Sequence, residues 1–338
     1  MPTTLHVDYE LMTYDESLEI VKKAMEIARQ IIPKGKVADY IPELGKADPN
    51  QLGICIYPLK GEKIELGDYQ TRFTIQSISK VISLCVALEL FGSERIFEKV
   101  SAEPSGEAFN SLVELDLNSN KPYNPLINSG ALAIAGMLIE EVSFHDMLRF
   151  SRELCSDSGI ELDRKVYDSE MATCSRNRAI AYLLESKAII ESDVEDALRF
   201  YTKMCSLSVT AESLANFANL IANDGVGNIT GKRYLSSETV QTLKTLMLTC
   251  GMYDGSGTYA LQVGIPTKSG VGGGLLAVSD KRAGIGVFGP SLDAKGNSIA
   301  GCRLMQEISR KLHLCLFYDS NYVKARLKDY SLNQRTSE

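Results

Sequence analysis

The chain contains no tryptophan and only three histidines in 338 residues. The shortage of histidine excludes most. His6, His145 and His313 stand in segments with no other catalytic sign, and His313 sits in the apolar run LHLCLF. A Ser-His-Asp hydrolase would have no credible base here. The eight cysteines, at 55, 85, 155, 174, 205, 250, 302 and 315, include no C-x-x-C pair. Several lie inside apolar runs such as GICIYPL, which points to buried thiols and against a disulfide framework or a zinc site. The sequence also lacks an excess of basic residues. Its 36 Lys and Arg against 43 Asp and Glu leave a formal charge of −7, and no basic run is interleaved with aromatics. That argues against sequence-independent nucleic-acid or anionic-membrane binding. No apolar run is long enough to span a bilayer. The first twenty residues show no basic patch followed by an apolar core. A cytoplasmic protein is therefore expected.

What remains is an ordinary globular composition, 44% hydrophobic and 23% charged, with length for one large domain or two smaller ones. Apolar spacing of three and four predicts a helix over 15–32, ending at Pro33. LGICIYPL (52–59) and KIELGDY (63–69) read as two strands joined by a turn at KGE. FTIQSISKVISL (73–84) then opens a helix expected to run from Ser77 to about Phe91, with Gly92 as its stop. From about 129 to 224 the pattern is almost purely helical, with Ser, Thr or Asp caps. YALQVGIP, LLAVSD and AGIGVFGP read as further strands, and a last helix is expected over 300–314. Too few strands lie at either end for two sheets. The economical arrangement is an α+β fold: one antiparallel sheet built from both ends of the chain, flanked by helices, with an all-helical subdomain inserted. The expected division is a single catalytic unit over 1–320, with an α/β lobe at about 1–76 and 225–320, a helical lobe at about 77–224, and a polar tail at 321–338.

Ser77 and Lys80 form the only S-x-x-K in the sequence. On a helix these positions share one face. Serine needs a base to act as a nucleophile, and lysine serves only when neutral. Apolar burial and the positive end of the helix would both favour that state. The Ser77 amide, at a helix start, is also free to face an oxyanion. Taken alone, the spacing more often marks a capping serine beside a solvated lysine. Almost two hundred residues later comes TKSGVGGG, in which Lys268-Ser269-Gly270 has the K-[ST]-G form that accompanies S-x-x-K in serine acyl-transfer enzymes. Its glycines would allow close backbone approach; taken alone, a glycine-rich hairpin fits it too. Asn128 opens an apolar helix after KPYNPLI, as an N-cap would. Glu170 and Asn177 fall about two helical turns apart, and a first-turn acid would explain Glu170 equally well. Tyr201 suits helix packing. Tyr253, in a Gly-rich loop, is harder to explain by packing.

Together these segments resemble the serine-dependent glutaminases of the penicillin-binding-protein and β-lactamase superfamily, close to the bacterial short form. The matching stretches are GKVADYIPEL (35–44), FTIQSISKV (73–81), EPSGEAFNS (103–111), KPYNPLINSGA (121–131), YDSEMATCSRNRAIAYLL (167–184), YTKMCSLSVT (201–210), MYDGSGTYA (252–260) and PTKSGVGGG (266–274). They run in the family's order over roughly residues 15 to 315; the tail beyond matches no family element. The resemblance implies a β-lactamase-like fold and hydrolysis of L-glutamine to L-glutamate and ammonia without cofactor or metal. It implies Ser77 as the acylated nucleophile, Lys80 as its base, and the amides of Ser77 and Val271 as the oxyanion hole. Tyr253 would relay a proton to ammonia, and Tyr201 would line the pocket. Glu170 would hold the substrate α-ammonium, with Tyr40, Asn128 and Asn177 on the carboxylate and neighbouring polar atoms. It also implies a homodimer or homotetramer. The competing readings are another S-x-x-K hydrolase, of β-lactamase or D-alanyl peptidase type, and a non-catalytic amino-acid sensor on the same fold.

Overall fold

The structure, a computed structural model, describes residues 12–105 and 121–317. Most of EPSGEAFNS (103–111) and the whole polar tail lie outside the described residues. Strands are numbered along the chain: β1 Gly53–Pro58, β2 Ile64–Gly67, β3 Phe73–Thr74, β4 Glu161–Leu162, β5 Leu207–Val209, β6 Thr267–Ser269, β7 Gly274–Ser279 and β8 Ala283–Phe288.

Among the described residues, five of these form one antiparallel sheet in the order β2-β1-β8-β7-β6. The two ends of the chain meet at the β1–β8 pair, where Ile54 faces Val287 and Ile56 faces Ile285. Side chains alternate across a strand, and the core divides accordingly. Leu275, Ala277, Ile285 and Val287 join the apolar cluster beneath the helices Tyr14–Arg29 and Ile299–Lys311. Leu276 and Val278 join the larger cluster on the other face. On that face β8 presents Gly284 and Gly286. A Cβ on Gly286 would stand 1.9 Å from the Ala211 carbonyl oxygen, and one on Gly284 would stand 2.0 Å from the Asn219 nitrogen. Glycine here lets the helix Ala211–Ala222 lie directly on the sheet.

The helical block comprises Ser79–Lys99, Asn128–Leu138, Phe144–Leu154, Arg164–Thr173, Ser175–Ser186 and Val194–Cys205. At its centre is Asn128–Leu138, NSGALAIAGML, buried nearly all round. A helix without a polar face needs such a position. Ser143 and Thr210 cap their helices with capping boxes, and Asp193 caps its own by accepting from the Asp196 amide.

Four details depart from the sequence reading. Gly92 does stop a helix, at φ 76° and ψ 162°, but helical turns resume to Lys99. The block also holds a small second sheet, β3-β5-β4, whose strands of two or three residues are too short for a visible alternation. YALQVGIP is not a strand, because Ser256–Gln262 is helical and β6 starts only at Thr267. Glu170 and Asn177 do not share a helix, which breaks at Cys174 with φ −84° and ψ 17°. Glu170 therefore lies near the end of its helix and is no first-turn acid. All eight cysteines are unpaired, and six are buried. No helix among the described residues is long and apolar enough to cross a membrane.

Candidate active site

Ser77 lies in a 3₁₀ turn, Gln76–Ile78, that leads into the helix Ser79–Lys99. Gln76 has φ 49°, a left-handed conformation uncommon for a side-chain-bearing residue. The turn is held from the far side of the sequence. A Cβ on Gly270 would stand 2.7 Å from the Ile75 carbonyl oxygen, and one on Gly272 would stand 2.4 Å from that of Thr74. The glycine-rich loop after β6 thus rests on the backbone beside Ser77, with Val271 buried between those glycines. Among the described residues, neither the Ser77 nor the Val271 amide donates to a backbone carbonyl of the loops and turns. Two converging backbone N–H groups are the kind of donor set an oxyanion needs.

Three residues beyond Ser77, at the second position of that helix, Lys80 is only 2% exposed. Its Nζ donates to Asn128 Oδ1 at 2.7 Å and to the Leu126 carbonyl at 3.2 Å. Asn128 Nδ2 donates to Asn177 Oδ1 at 2.8 Å, and the Tyr201 hydroxyl donates to Asn128 Oδ1 at 3.4 Å. Lys80, Asn128, Asn177 and Tyr201 therefore form one connected group. Burial draws the Lys80 ammonium down to about 8, against weaker raising by Cys205 and Glu170. From a normal lysine near 10.5, that increases the neutral fraction at pH 7 about 300-fold, to roughly a tenth.

Glu170, also buried, approaches the Ser77 turn through Gln76. Gln76 Nε2 donates to Glu170 Oε2 at 3.4 Å and to Thr74 Oγ1 at 3.3 Å. Burial pushes the Glu170 carboxyl up to about 7, opposed by the Gln76 hydrogen bond and the charge of Lys80. One glutamine side chain thus spans from the Ser77 turn to the acid. Tyr253 also has positive φ, 54°. It shares a hydrogen bond with Ser77 and donates to the Ser269 carbonyl at 3.3 Å. Burial raises its phenol, so the group stays protonated and able to donate. The Tyr201 phenol is raised by burial too. Tyr40 stands at the rim, 55% exposed; burial of its hydroxyl, then the neighbouring Tyr253 and Glu170, raise its phenol.

All nine residues singled out from the sequence come together at this site. Three neighbours were not singled out individually. Gln76 holds Glu170. Lys268, fully buried, donates to the Ser269 and Gly251 carbonyls at 2.6 and 3.2 Å and lies 4.5 Å above the Tyr253 ring. Cys205 accepts from Ser79 Oγ at 3.6 Å, which gives that second serine a partner. Lys268 was visible as part of K-S-G; no local pattern marks the other two.

The sheet flanked by helices, with a Ser–Lys pair at the mouth of a buried helix and a glycine-rich strand end beside it, defines the β-lactamase-like class. Comparison with known proteins narrows this. Residues 35–317 match the glutaminase family model. Glutaminase 2 of Clostridium perfringens is 47% identical over 301 residues, covering 88% of this chain and 99% of its own. The solved structure of the probable glutaminase ybaS superposes with a TM-score of 0.87 at 34% identity, covering 91% of this chain and 100% of its own. The Bacillus subtilis glutaminase YbgJ, solved as a covalent complex with 5-oxo-L-norleucine, does so at 0.81 with 35% identity, covering 89% and 100%. The chain belongs to the glutaminase family of enzymes.

Proposed function

We propose that the protein hydrolyses L-glutamine to L-glutamate and ammonia through a γ-glutamyl ester on Ser77. The observation that carries this reading is the pairing of a nearly buried Ser77 with a buried, easily neutralised Lys80, with the buried acid Glu170 tied to the same turn through Gln76. Glutamine has a cation and an anion at one end and a primary amide at the other. Glu170 takes the α-ammonium. Tyr40, Asn128 and Asn177 supply neutral donors to the carboxylate, so no buried arginine is needed. The amide carbon then lies at Ser77 Oγ.

Neutral Lys80 accepts the Ser77 proton as Oγ attacks, and the amides of Ser77 and Val271 hold the oxyanion. Tyr253 passes a proton to the departing ammonia and recovers one from the Lys80 ammonium, which leaves Lys80 neutral again. Water then repeats the attack on the ester, with Lys80 again as base, and releases glutamate. Ammonia release from glutamine and asparagine, side by side, tests the reading. Glutamine turnover at least about a hundredfold above asparagine is expected, because the shorter amide leaves either Glu170 or the oxyanion donors unsatisfied. Stable acylation of Ser77 by a penicillin without glutamine turnover would point to the other S-x-x-K hydrolases. Glutamine binding without ammonia release would point to a sensor.

Two further outcomes follow from the charges. Glu170 must be ionised and Lys80 neutral in the free enzyme. Both conditions are met by losing protons, near 7 and 8 respectively. A pH profile of kcat/KM should therefore climb through pH 7, bend near 8 and fall again only where the substrate's own α-ammonium loses its proton; a maximum below pH 6.5 contradicts the assignment. Glu170→Gln keeps the shape and removes the charge. It should raise KM for glutamine about 30- to 100-fold, roughly 2–3 kcal/mol for a desolvated charge pair, and remove the inflection near 7.

A further inference from the structure

Lys268 is the lysine of the K-S-G triplet, and the reaction set out above makes no use of its amine. It is fully buried. Among the described residues, the charged and titratable groups that act on it are Lys80, Cys205 and Cys250, none of them a carboxylate. A fully buried lysine without a carboxylate is costly, and a methionine would fill much the same volume. The hydrogen bonds show what the amine does. Nζ donates to the Ser269 carbonyl at 2.6 Å and to the Gly251 carbonyl at 3.2 Å. Burial, then the charge of Lys80, lowers its ammonium well below the usual lysine range. The neutral amine has two hydrogens, one for each carbonyl.

Both carbonyls bear on Tyr253. Gly251 leads into the turn that carries Tyr253 and packs closely on β6: a Cβ there would stand 1.8 Å from the Thr267 carbonyl oxygen. The Ser269 carbonyl accepts from the Tyr253 hydroxyl at 3.3 Å as well, and Lys268 Nζ lies 4.5 Å above that ring. Tyr253 and Lys268 thus share one acceptor, and the lysine holds the shorter bond.

We propose that Lys268 is a positioning residue for the proton transfer to ammonia: it holds the Tyr253 turn against β6 and keeps the Ser269 carbonyl satisfied while the Tyr253 proton leaves it. This rests on the Tyr253 relay proposed above. The single phenolic hydrogen points at the Ser269 carbonyl before reaction. It must turn to the departing nitrogen, where the O–H bond breaks and an N–H bond forms as the C–N bond is cleaved. Leaving a buried carbonyl unpaired at that moment would add to the barrier. The Lys268 bond removes that cost, so the long Tyr253 bond is given up readily. Tyr253 also has φ 54°, a conformation that persists only where surrounding contacts hold it, and the bond from Lys268 to Gly251 is one of them.

Leaving-group dependence separates this role from a purely structural one. Ammonia cannot depart without a proton, whereas methanethiolate can, so L-glutamate γ-S-methyl thioester bypasses Tyr253. Lys268→Met should lower kcat/KM for glutamine about 30- to 100-fold, as a displaced acid does, and that for the thioester less than about threefold. Tyr253→Phe should show the same split. In the double variant the losses should not add: Lys268→Met should cost less than about threefold once Tyr253 is replaced. Lys268→Gln keeps an N–H donor and should lose less than Lys268→Met; it carries the same comparison if the methionine variant fails to fold. Equal losses on both substrates, or full additivity in the double variant, overturn the role of Lys268 while the split in Tyr253→Phe leaves the relay standing. If Tyr253→Phe itself lacks the split, the relay is wrong and the proposal falls with it.

Discussion

Ser77→Ala should lower kcat for glutamine by at least about 10⁴-fold, an increase of roughly 5.5 kcal/mol in the barrier. The change removes one oxygen from a nearly buried turn. Gln76, Lys80 and Glu170 keep their partners, so glutamine should still bind, within about threefold of wild type by calorimetry. A loss this large is expected only if the hydroxyl forms a bond to the substrate. A second readout is independent of turnover. The diazo ketone 6-diazo-5-oxo-L-norleucine, which forms a covalent 5-oxo-L-norleucine complex with the Bacillus subtilis relative, should lose dinitrogen, add the 5-oxo-L-norleucine group to the tryptic peptide carrying Ser77 and leave Ser77→Ala unlabelled. A variant that keeps more than a hundredth of wild-type turnover, or one labelled as fast as wild type, would sink the mechanism.

Replacing Lys80 should be nearly as damaging, and the choice of replacement is diagnostic. Lys80→Met keeps the length and apolar stem and loses the amine; kcat/KM should fall about 10³- to 10⁴-fold, the usual range for a general base together with its hydrogen bonds. Lys80→Arg keeps the charge and the donors toward Asn128 and Leu126. If Lys80 only placed a cation or organised Asn128, arginine would rescue a good part of the activity. A guanidinium does not lose its proton in this pH range, so Lys80→Arg should be as inactive as Lys80→Met. The inflection near pH 8 should vanish from the residual activity of both. Lys80→Arg activity above a tenth of wild type would exclude lysine as the base.

Much of the site was legible because its parts are local. Ser77 and Lys80 lie three residues apart on a helical segment, and backbone geometry alone brings them to one face. The glycines after Lys268 declare a close backbone approach without naming what approaches. The strands were legible where alternation had room, as in LLAVSD, and failed where it did not. YALQVGIP mixes β-branched, aromatic and small residues over a short span, a composition that suits either state. Its packing beside the helix Ser237–Cys250 and the hydrogen bonds that tie Ser256 to the Tyr253 turn made its first half helical.

Other features were settled by partners distant in sequence. Gln76 meets Glu170 across 94 residues, and Lys80 meets Asn128 across 48. The pKa changes at Lys80 and Glu170 come from burial, and burial belongs to the assembled core. The break at Cys174, which turns Glu170 toward Gln76 while Asn177 turns toward Asn128, shows no breaker residue in the sequence. Short-range pattern dictated the residue types, the helix that follows Ser77 and the strand-forming segments at either end of the chain. Packing between segments distant in sequence decided which protons are held loosely and which side chains come together, because desolvation and hydrogen-bond geometry exist only once separate segments are in contact.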